Sequence, residues 1–487
     1  MRFSTLLGTT TALMGVGFAC GLAAQEPVSQ PNIIFILADD LGYGDVGYNP
    51  RGEPDIVTPN LDRIAANGAA LTAGYAMNMV CGPSRAALAT GRYQQRFGYH
   101  DNVGPRVRES GMPRGLPLEM DTIADYFSDA GYSTGLIGKY HDGDDADYWP
   151  YNRGFQTFYG FNDGAVDYWV GNKNDQVESW YAIHREDGKR VPNFDEYLTD
   201  AFGQESLRFI EANKDEPFFL MLSYNAPHDP MMATEEDLAK FAHIENEDRR
   251  IAVAMIYNMD KNIGLLLDKL EAEELMEETL IIFTSDNGGA GAPKYSGNAP
   301  LFGHKGTTTE GGIRVPTIVQ WSGTIPAGQV LDEPVNGIDL TATMLHAGTE
   351  PKAEWQLEGV DLMPYLTGEQ KQLEDRYLFW DNISHYAVRD RDWKYLDTRV
   401  RLVQGERKAT PFSGLFRISD DISEQNDLSK EHPEELARLK AAFEAWRADN
   451  EAPRFGWGTH IGPFEGYRPK HEEIYQKMLE REANRKK

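Results

Sequence analysis

Cysteine is nearly absent: 487 residues contain two, Cys20 and Cys81. That excludes a disulfide framework, so stability has to come from burial. Basic residues are also scarce, 48 Lys and Arg against 76 Asp and Glu, for a formal net charge of -28. A surface so acidic argues against nucleic acid and anionic membranes as partners. It reads as a solubility device, suited to a salty medium that screens self-repulsion. Beyond the first residues no apolar run is long enough to span a bilayer, so stable membrane insertion is not expected. Internal repeats and low-complexity tracts are missing too.

What is present begins with "MRFSTLLGTTTALMGVGFACGLAAQEP". Arg2, the apolar stretch from Thr5 to Ala19 and the small residues before Gln25 read as a secretory signal over 1–24, cut after Ala24. Export to the periplasm or medium follows. A lipoprotein cut before Cys20 is disfavoured by Gly17, which stands where a large aliphatic residue is usual. Removal of the leader leaves Cys81 as the only thiol. The remaining chain is long enough for one large domain and a smaller one, since single cores rarely exceed about 250–300 residues.

Four apolar runs end abruptly in polar residues: "NIIFILADD" at Asp39 and Asp40, "GLIGKYH" at Lys139 and His141, "PFFLMLSYNAPHD" at His228 and Asp229, "TLIIFTSDNGG" at Asp286 and Asn287. Continuous runs of this kind predict strands buried on both faces. Between them "TPNLDRIAANG", "DTIADYFSDAG" and "DRRIAVAMIYNMDKNIGLLLDKLEAEELMEET" predict helices. The fold class is therefore α/β, a largely parallel sheet with helices on both faces. Ligands of such sheets bind beyond the carboxyl ends of the strands, where all four polar endings would converge. Past "EGVDLMPYLTG" the runs shorten and alternate ("RYLFW", "YAVRDRDWKYL", "SGLFRISDD") before a late helix, "PEELARLKAAFEAWRADN". This predicts a smaller antiparallel sheet with a helix, dividing the chain into 25–370 and 371–487. The final "HEEIYQKMLEREANRKK" reads as a polar helix.

Asp39, Asp40, Asp286 and Asn287 offer only oxygen ligands, the set a hard cation such as calcium or magnesium takes. No cysteine or histidine pair sits at zinc-ligand spacing. Singly, each of these residues reads as a cap or turn; two oxygen pairs that both end buried strands point to a metal. Arg85, Lys139, Lys305, His141 and His228 would surround it.

The segment "CGPSRAALATG" resembles the signature of formylglycine-dependent sulfatases, Cys-x-Pro-Ser-Arg followed by Thr-Gly. "ADDLGYGD", "GKYH", "NAPHDP", "DNGG" and "HKGTTTEGGIRVP" match that family in order, and the resemblance extends through "VRDRDWKYL" and "LFRISDDISEQNDL". It implies the alkaline-phosphatase-like α/β/α sandwich and hydrolysis of sulfate monoesters. It also implies that a formylglycine-generating enzyme oxidises Cys81 to an aldehyde, which answers what an unpaired thiol does in an exported chain. A hydroxyl of the hydrated aldehyde, a gem-diol held on the cation beside Asp39, Asp40, Asp286 and Asn287, would attack sulfur. Lys139, Lys305 and Arg85 would offset charge in the transition state. His228, with Lys305, would protonate the departing alcohol, and His141 would deprotonate the second hydroxyl to expel sulfate.

Substrate is less legible. In "GRYQQRFGYHDN", "DYWPYNRGFQTFYGFNDGAVDYWV" and "YAIHRED", the aromatics Trp149, Tyr168 and Trp169 could stack on sugars. Arg96, His100, Arg106 and His184 could bind neighbouring anions. "GRYQQRFG" resembles bacterial sulfatases of marine algal polysaccharides, which implies a sulfated glycan, for instance a galactan such as carrageenan. The alternatives are a broad arylsulfatase, a phosphonate or phosphodiester hydrolase of the same superfamily, and a glycan-binding protein if Cys81 stays unmodified.

Overall fold

The computed structural model describes residues 30–454, apart from 104–114, 144–145, 170–182, 186–187, 192–195, 292–294, 383–384, 399–400, 404–405 and 409–411. The expected leader, Cys20, Arg106 and the expected C-terminal polar helix lie outside the described residues.

Each apolar run forms a strand. Asn32–Ala38, Ser133–Lys139, Phe218–Ser223 and Thr279–Ser285 are buried along almost their whole length. They form the centre of a nine-stranded sheet. Across it the order is Gln329–Leu331, Ala69–Leu71, Ile318–Gln320, Thr279–Ser285, Asn32–Ala38, Phe218–Ser223, Ser133–Lys139, Thr157–Phe161, His184–Arg185. Only Ile318–Gln320 and the edge strand His184–Arg185 run against their neighbours.

Alternation along Asn32–Ala38 builds the two layers, because successive strand residues point to opposite faces. Ile34 and Ile36 pack with Phe202, Met259 and Ile263 from helices Leu198–Asn213 and Glu247–Ala272. Ile33, Phe35 and Leu37 pack with Phe127 and Leu345 from helices Ile123–Asp129 and Gly337–Gly348. Helices therefore cover both faces, and the strands need no polar side.

Register then aligns the strand ends. Leu37 faces Ser223 on one side and Thr284 on the other, Ala38 faces Ser285, and Gly138 faces Ser223. The four loops that follow leave the sheet along one edge, side by side. Beyond the large sheet, Leu378–Asn382, His385–Arg389, Trp393–Thr398 and Phe412–Arg417 form an antiparallel sheet in chain order. Helix Pro433–Arg447 covers it through Leu439, Phe443 and Trp446. The same cluster takes in Met77, Ala87 and Ile338, so the small sheet shares its core with the segment around Cys81.

Candidate active site

Cys81 begins a helix, Cys81–Thr90, that the sequence reading did not anticipate. Pro83 is tolerated because it stands in the first turn, where backbone N–H groups have no partner within the helix. Val80 precedes the helix without capping it. The cap comes instead from Asn102, whose Oδ1 accepts the Gly82 N–H at 2.8 Å. Residue 81 is 1% exposed and stands beside the parallel-strand ends.

Around Cys81 the charges alternate. Lys139 Nζ is 2.5 Å from Asp39 Oδ2, and Lys305 Nζ is 2.6 Å from Asp40 Oδ1 and 3.2 Å from Cys81 Sγ. Arg85 holds Asp286 Oδ2 with Nε at 2.9 Å and Nη2 at 2.8 Å, and its Nη1 donates to Ser223 Oγ at 2.7 Å and to the Lys139 carbonyl at 3.0 Å. Asn287 Nδ2 donates to Asp40 Oδ1 at 2.8 Å, and His228 Nε2 stands 3.7 Å from Asp40 Oδ2. The structure thus brings together Asp39, Asp40, Cys81, Arg85, Lys139, His228, Asp286, Asn287 and Lys305, from segments far apart in the chain.

Burial and charge push these groups in different directions. Burial raises Asp39 above its ordinary value although Lys139 opposes it. Burial and the nearby Asp39 carboxylate raise Asp286 to about 6. Asp40 is buried too, yet Lys305 and His228 hold it well below the usual carboxylate range. Burial opposes ionisation of the Cys81 thiol, but Lys139 and Lys305 outweigh it and bring it down to about 7. The two histidines separate: burial and Lys139 push His141 well below its ordinary value, whereas Asp39 and Asp40 overcome burial and raise His228 to about 9. One imidazole is therefore neutral and the other charged, the division that an acid and a base require.

A hard cation fits this donor set. Asp39 and Asp40 place carboxylate oxygens within 4.8 Å of each other and of Cys81 Sγ and the His228 ring, whose charge makes it a neighbour of such an ion and not a ligand. Asn287 Oδ1 is buried and lacks a hydrogen-bond partner among the described residues, as an oxygen reserved for a metal would. Three carboxylates (Asp39, Asp40, Asp286) balance three cations (Arg85, Lys139, Lys305), so charged His228 and a divalent ion would together leave the pocket at plus three, ready for an anion.

His141 lies just outside the ion pairs, with Gly164 closing on its ring: a Cβ there would stand 3.0 Å from Nε2. Of the six expected substrate contacts that lie among the described residues, most turn inward. Tyr168 is fully buried, Trp149 packs edge-on against Phe158 at 6.0 Å and His184 at 4.6 Å, and His184 itself is buried. A buried ring offers no face to a sugar. Burial lowers His100 to about 4, leaving no charge for an anion near neutral pH. Arg96 is committed to Glu358 at 2.9 Å and lies over the Trp446 ring. Trp169 alone of the six keeps a broad exposed face, at 40%. Sequence reasoning missed Asn102 and Ser223. Ser223 carries the same signal as the other strand endings, a polar residue closing an apolar run, whereas Asn102 has no local signal.

An α/β/α sandwich with a cation-lined, metal-competent pocket at its strand ends defines an alkaline-phosphatase-like hydrolase of anionic esters. A family model described as Sulfatase matches residues 31–349. Human N-acetylgalactosamine-6-sulfatase is 33% identical over 464 residues, covering 87% of each chain. The crystal structure of Ps i-CgsB in complex with k-i-k-neocarrahexaose superposes with a TM-score of 0.79 at 34% identity, over 92% of this chain and 97% of that one. The PsFucS1 sulfatase from Pseudoalteromonas sp. follows with a TM-score of 0.73 at 26% identity, over 86% and 90%. The chain belongs to the sulfatase family and is a sulfuric ester hydrolase.

Proposed function

We propose that this enzyme desulfates a sulfated polysaccharide or its oligosaccharides, a galactan such as carrageenan, after export. Support for the substrate comes from the likeness, over nearly the whole chain, to a protein solved with a neocarrahexaose. Support for the chemistry comes from one observation: Cys81 lies between Lys305 and the Asp39 carboxylate at the first turn of its helix. A maturation enzyme converts Cys81 to formylglycine, and Asp39, Asp40, Asp286 and Asn287 together with residue 81 hold calcium, or magnesium in its place. When present, these two groups supply a nucleophilic hydroxyl and Lewis-acid stabilisation of the sulfate.

The protein's own residues do the rest. Arg85, braced by Asp286, Ser223 and the Lys139 carbonyl, orients the residue-81 side chain through a planar fork of donors. Lys139 and Lys305 offset charge on the sulfate oxygens. His228 Nδ1 is 2.7 Å from the Asp229 carbonyl, which can only accept, so Nδ1 carries a proton and Nε2 faces the pocket. Charged His228 then donates from Nε2 to the departing alcohol, and neutral His141 receives a proton as sulfate leaves.

The test is sulfate release, by ion chromatography, from sulfated algal and animal oligosaccharides and from an aryl sulfate, with mass spectrometry of the Cys81 peptide. Expected are release from a galactan oligosaccharide and a peptide that has exchanged its sulfur and a pair of hydrogens for a single oxygen. Release from the aryl sulfate alone would assign a broad arylsulfatase. Turnover of a phosphonate or phosphodiester instead would move the reaction to another branch of the superfamily. An intact thiol in protein from its natural host, without turnover, would leave a glycan-binding protein.

A further inference from the structure

We infer that Tyr168 and Tyr197 are positioning residues that hold His228 in place for the leaving group. The inference rests on His228 acting as the general acid in the reading above. Tyr168 is fully buried, and its hydroxyl lies 2.5 Å from the Asn225 carbonyl and 3.0 Å from the His228 carbonyl. Asn225 O also accepts the His228 N–H at 2.9 Å, so the phenol's single proton, donated to Asn225 O and shared with His228 O, closes the turn that carries the imidazole.

Tyr197 grips the same loop further along, its hydroxyl donating to the Met232 carbonyl at 2.8 Å. The two rings stack, with centroids 5.5 Å apart and planes 20° from parallel. Leu198 N donates to the Tyr168 carbonyl at 2.9 Å, which ties the pair to the start of helix Leu198–Asn213. The loop from Asn225 to Met232 is therefore stapled at two points by one rigid aromatic unit. His228 depends on such support because its ring is anchored at Nδ1 to the neighbouring Asp229 carbonyl, a part of the same loop, so the imidazole stands where the loop puts it. A proton donor misplaced by about 1 Å can lose two orders of magnitude in rate.

Tyr168→Phe removes one hydroxyl and keeps the packed ring. We expect kcat to fall about tenfold on poor leaving groups, as the loss of one buried hydrogen bond allows. On a series of phenyl sulfates, from nitro- to methoxy-substituted, the dependence of kcat on leaving-group pKa should steepen while KM stays within about twofold. Tyr197→Phe should act in the same direction and more weakly. On a His228→Ala background, Tyr168→Phe should add nothing, a coupling that a merely structural role would not produce. Independently of turnover, nitrogen-15 histidine spectra of Tyr168→Phe should show the His228 resonance, identified by its loss in His228→Ala, shifted or broadened while the others stay. An equal loss of kcat across the series, full additivity with His228→Ala, or an unmoved His228 resonance overturns the inference. A flat leaving-group response of His228→Ala alone would instead remove the general-acid reading beneath it.

Discussion

Asp40 and His141 both adopt left-handed backbone conformations, with φ of 67° and 63°. For residues other than glycine that costs about 1–2 kcal/mol each, and such strain persists where surrounding contacts over-determine it. At Asp40 those contacts are Lys305 and Asn287. Arg85 shows the same dependence on fixed partners, since three of its nitrogens serve Asp286, Ser223 and a carbonyl. Arg85→Lys should therefore lower kcat/KM by about two orders of magnitude and depress the melting temperature, because one ammonium cannot span those sites. Enzymatic rate and thermal unfolding measure the two effects separately. The pH profile tests His228: a general acid must keep its proton, so kcat/KM should fall as pH rises towards 9, and this limb should vanish in His228→Ala. A cation sharing Asp39 and Asp40 draws the limb lower by offsetting their pull on the imidazole.

At the scale of elements, two close approaches set where the side chains of the candidate site stand. Gly138 has φ of 114°, and a Cβ built there would lie 1.8 Å from the Ser223 carbonyl. Its strand must pass that close to place Lys139 beside Asp39 and to let Ser223 meet Arg85. Gly138→Ala is expected to destabilise by more than about 4 kcal/mol and to yield little soluble protein, as checked by expression and thermal melting. The second approach is Asn102 on the first turn of the Cys81 helix. Asn102→Ala should cost about 1 kcal/mol of stability in denaturant titration, the usual value of a lost N-terminal cap.

Across the whole molecule, the small sheet is wired into the loop that carries Lys305. Lys394 lies fully buried between Glu310 at 2.8 Å and Glu424 at 2.9 Å, and Glu424 Oε2 accepts the Glu310 N–H at 2.7 Å. Lys394→Met would leave Glu424 buried without its cation and Glu310 with Arg314 as its remaining ion pair, so a loss of about 3–5 kcal/mol is expected in chemical denaturation. The two acids titrate oppositely. Burial would raise Glu310, but Lys394 and Arg314 hold it well below its ordinary value, so its contribution is complete above 4.5 and fades as pH falls. Burial raises Glu424 to about 7 despite Lys394, so its contribution is complete below 4.5 and is lost as pH rises through 7. Glu424→Gln should accordingly gain stability relative to wild type between pH 5 and about 8, read as a growing difference in melting temperature.

Much of this protein was legible along the chain. Runs such as "NIIFILADD" and "TLIIFTSDNGG" announced strands buried on both faces, and their polar endings named the carboxylates and the amide that meet at one site. Those are local properties: residue type, period and the point at which a run stops. Tertiary structure alone decided that Lys139 meets Asp39 while Lys305 meets Asp40, because pairing across 100 or 265 positions depends on sheet register. It alone turned Tyr168, Trp149 and His100 inward, since an aromatic or imidazole in an insertion reads the same whether it faces sugar or core. And it made Tyr168 a support for His228, through hydrogen bonds to main-chain carbonyls, which every residue carries and no sequence pattern can mark.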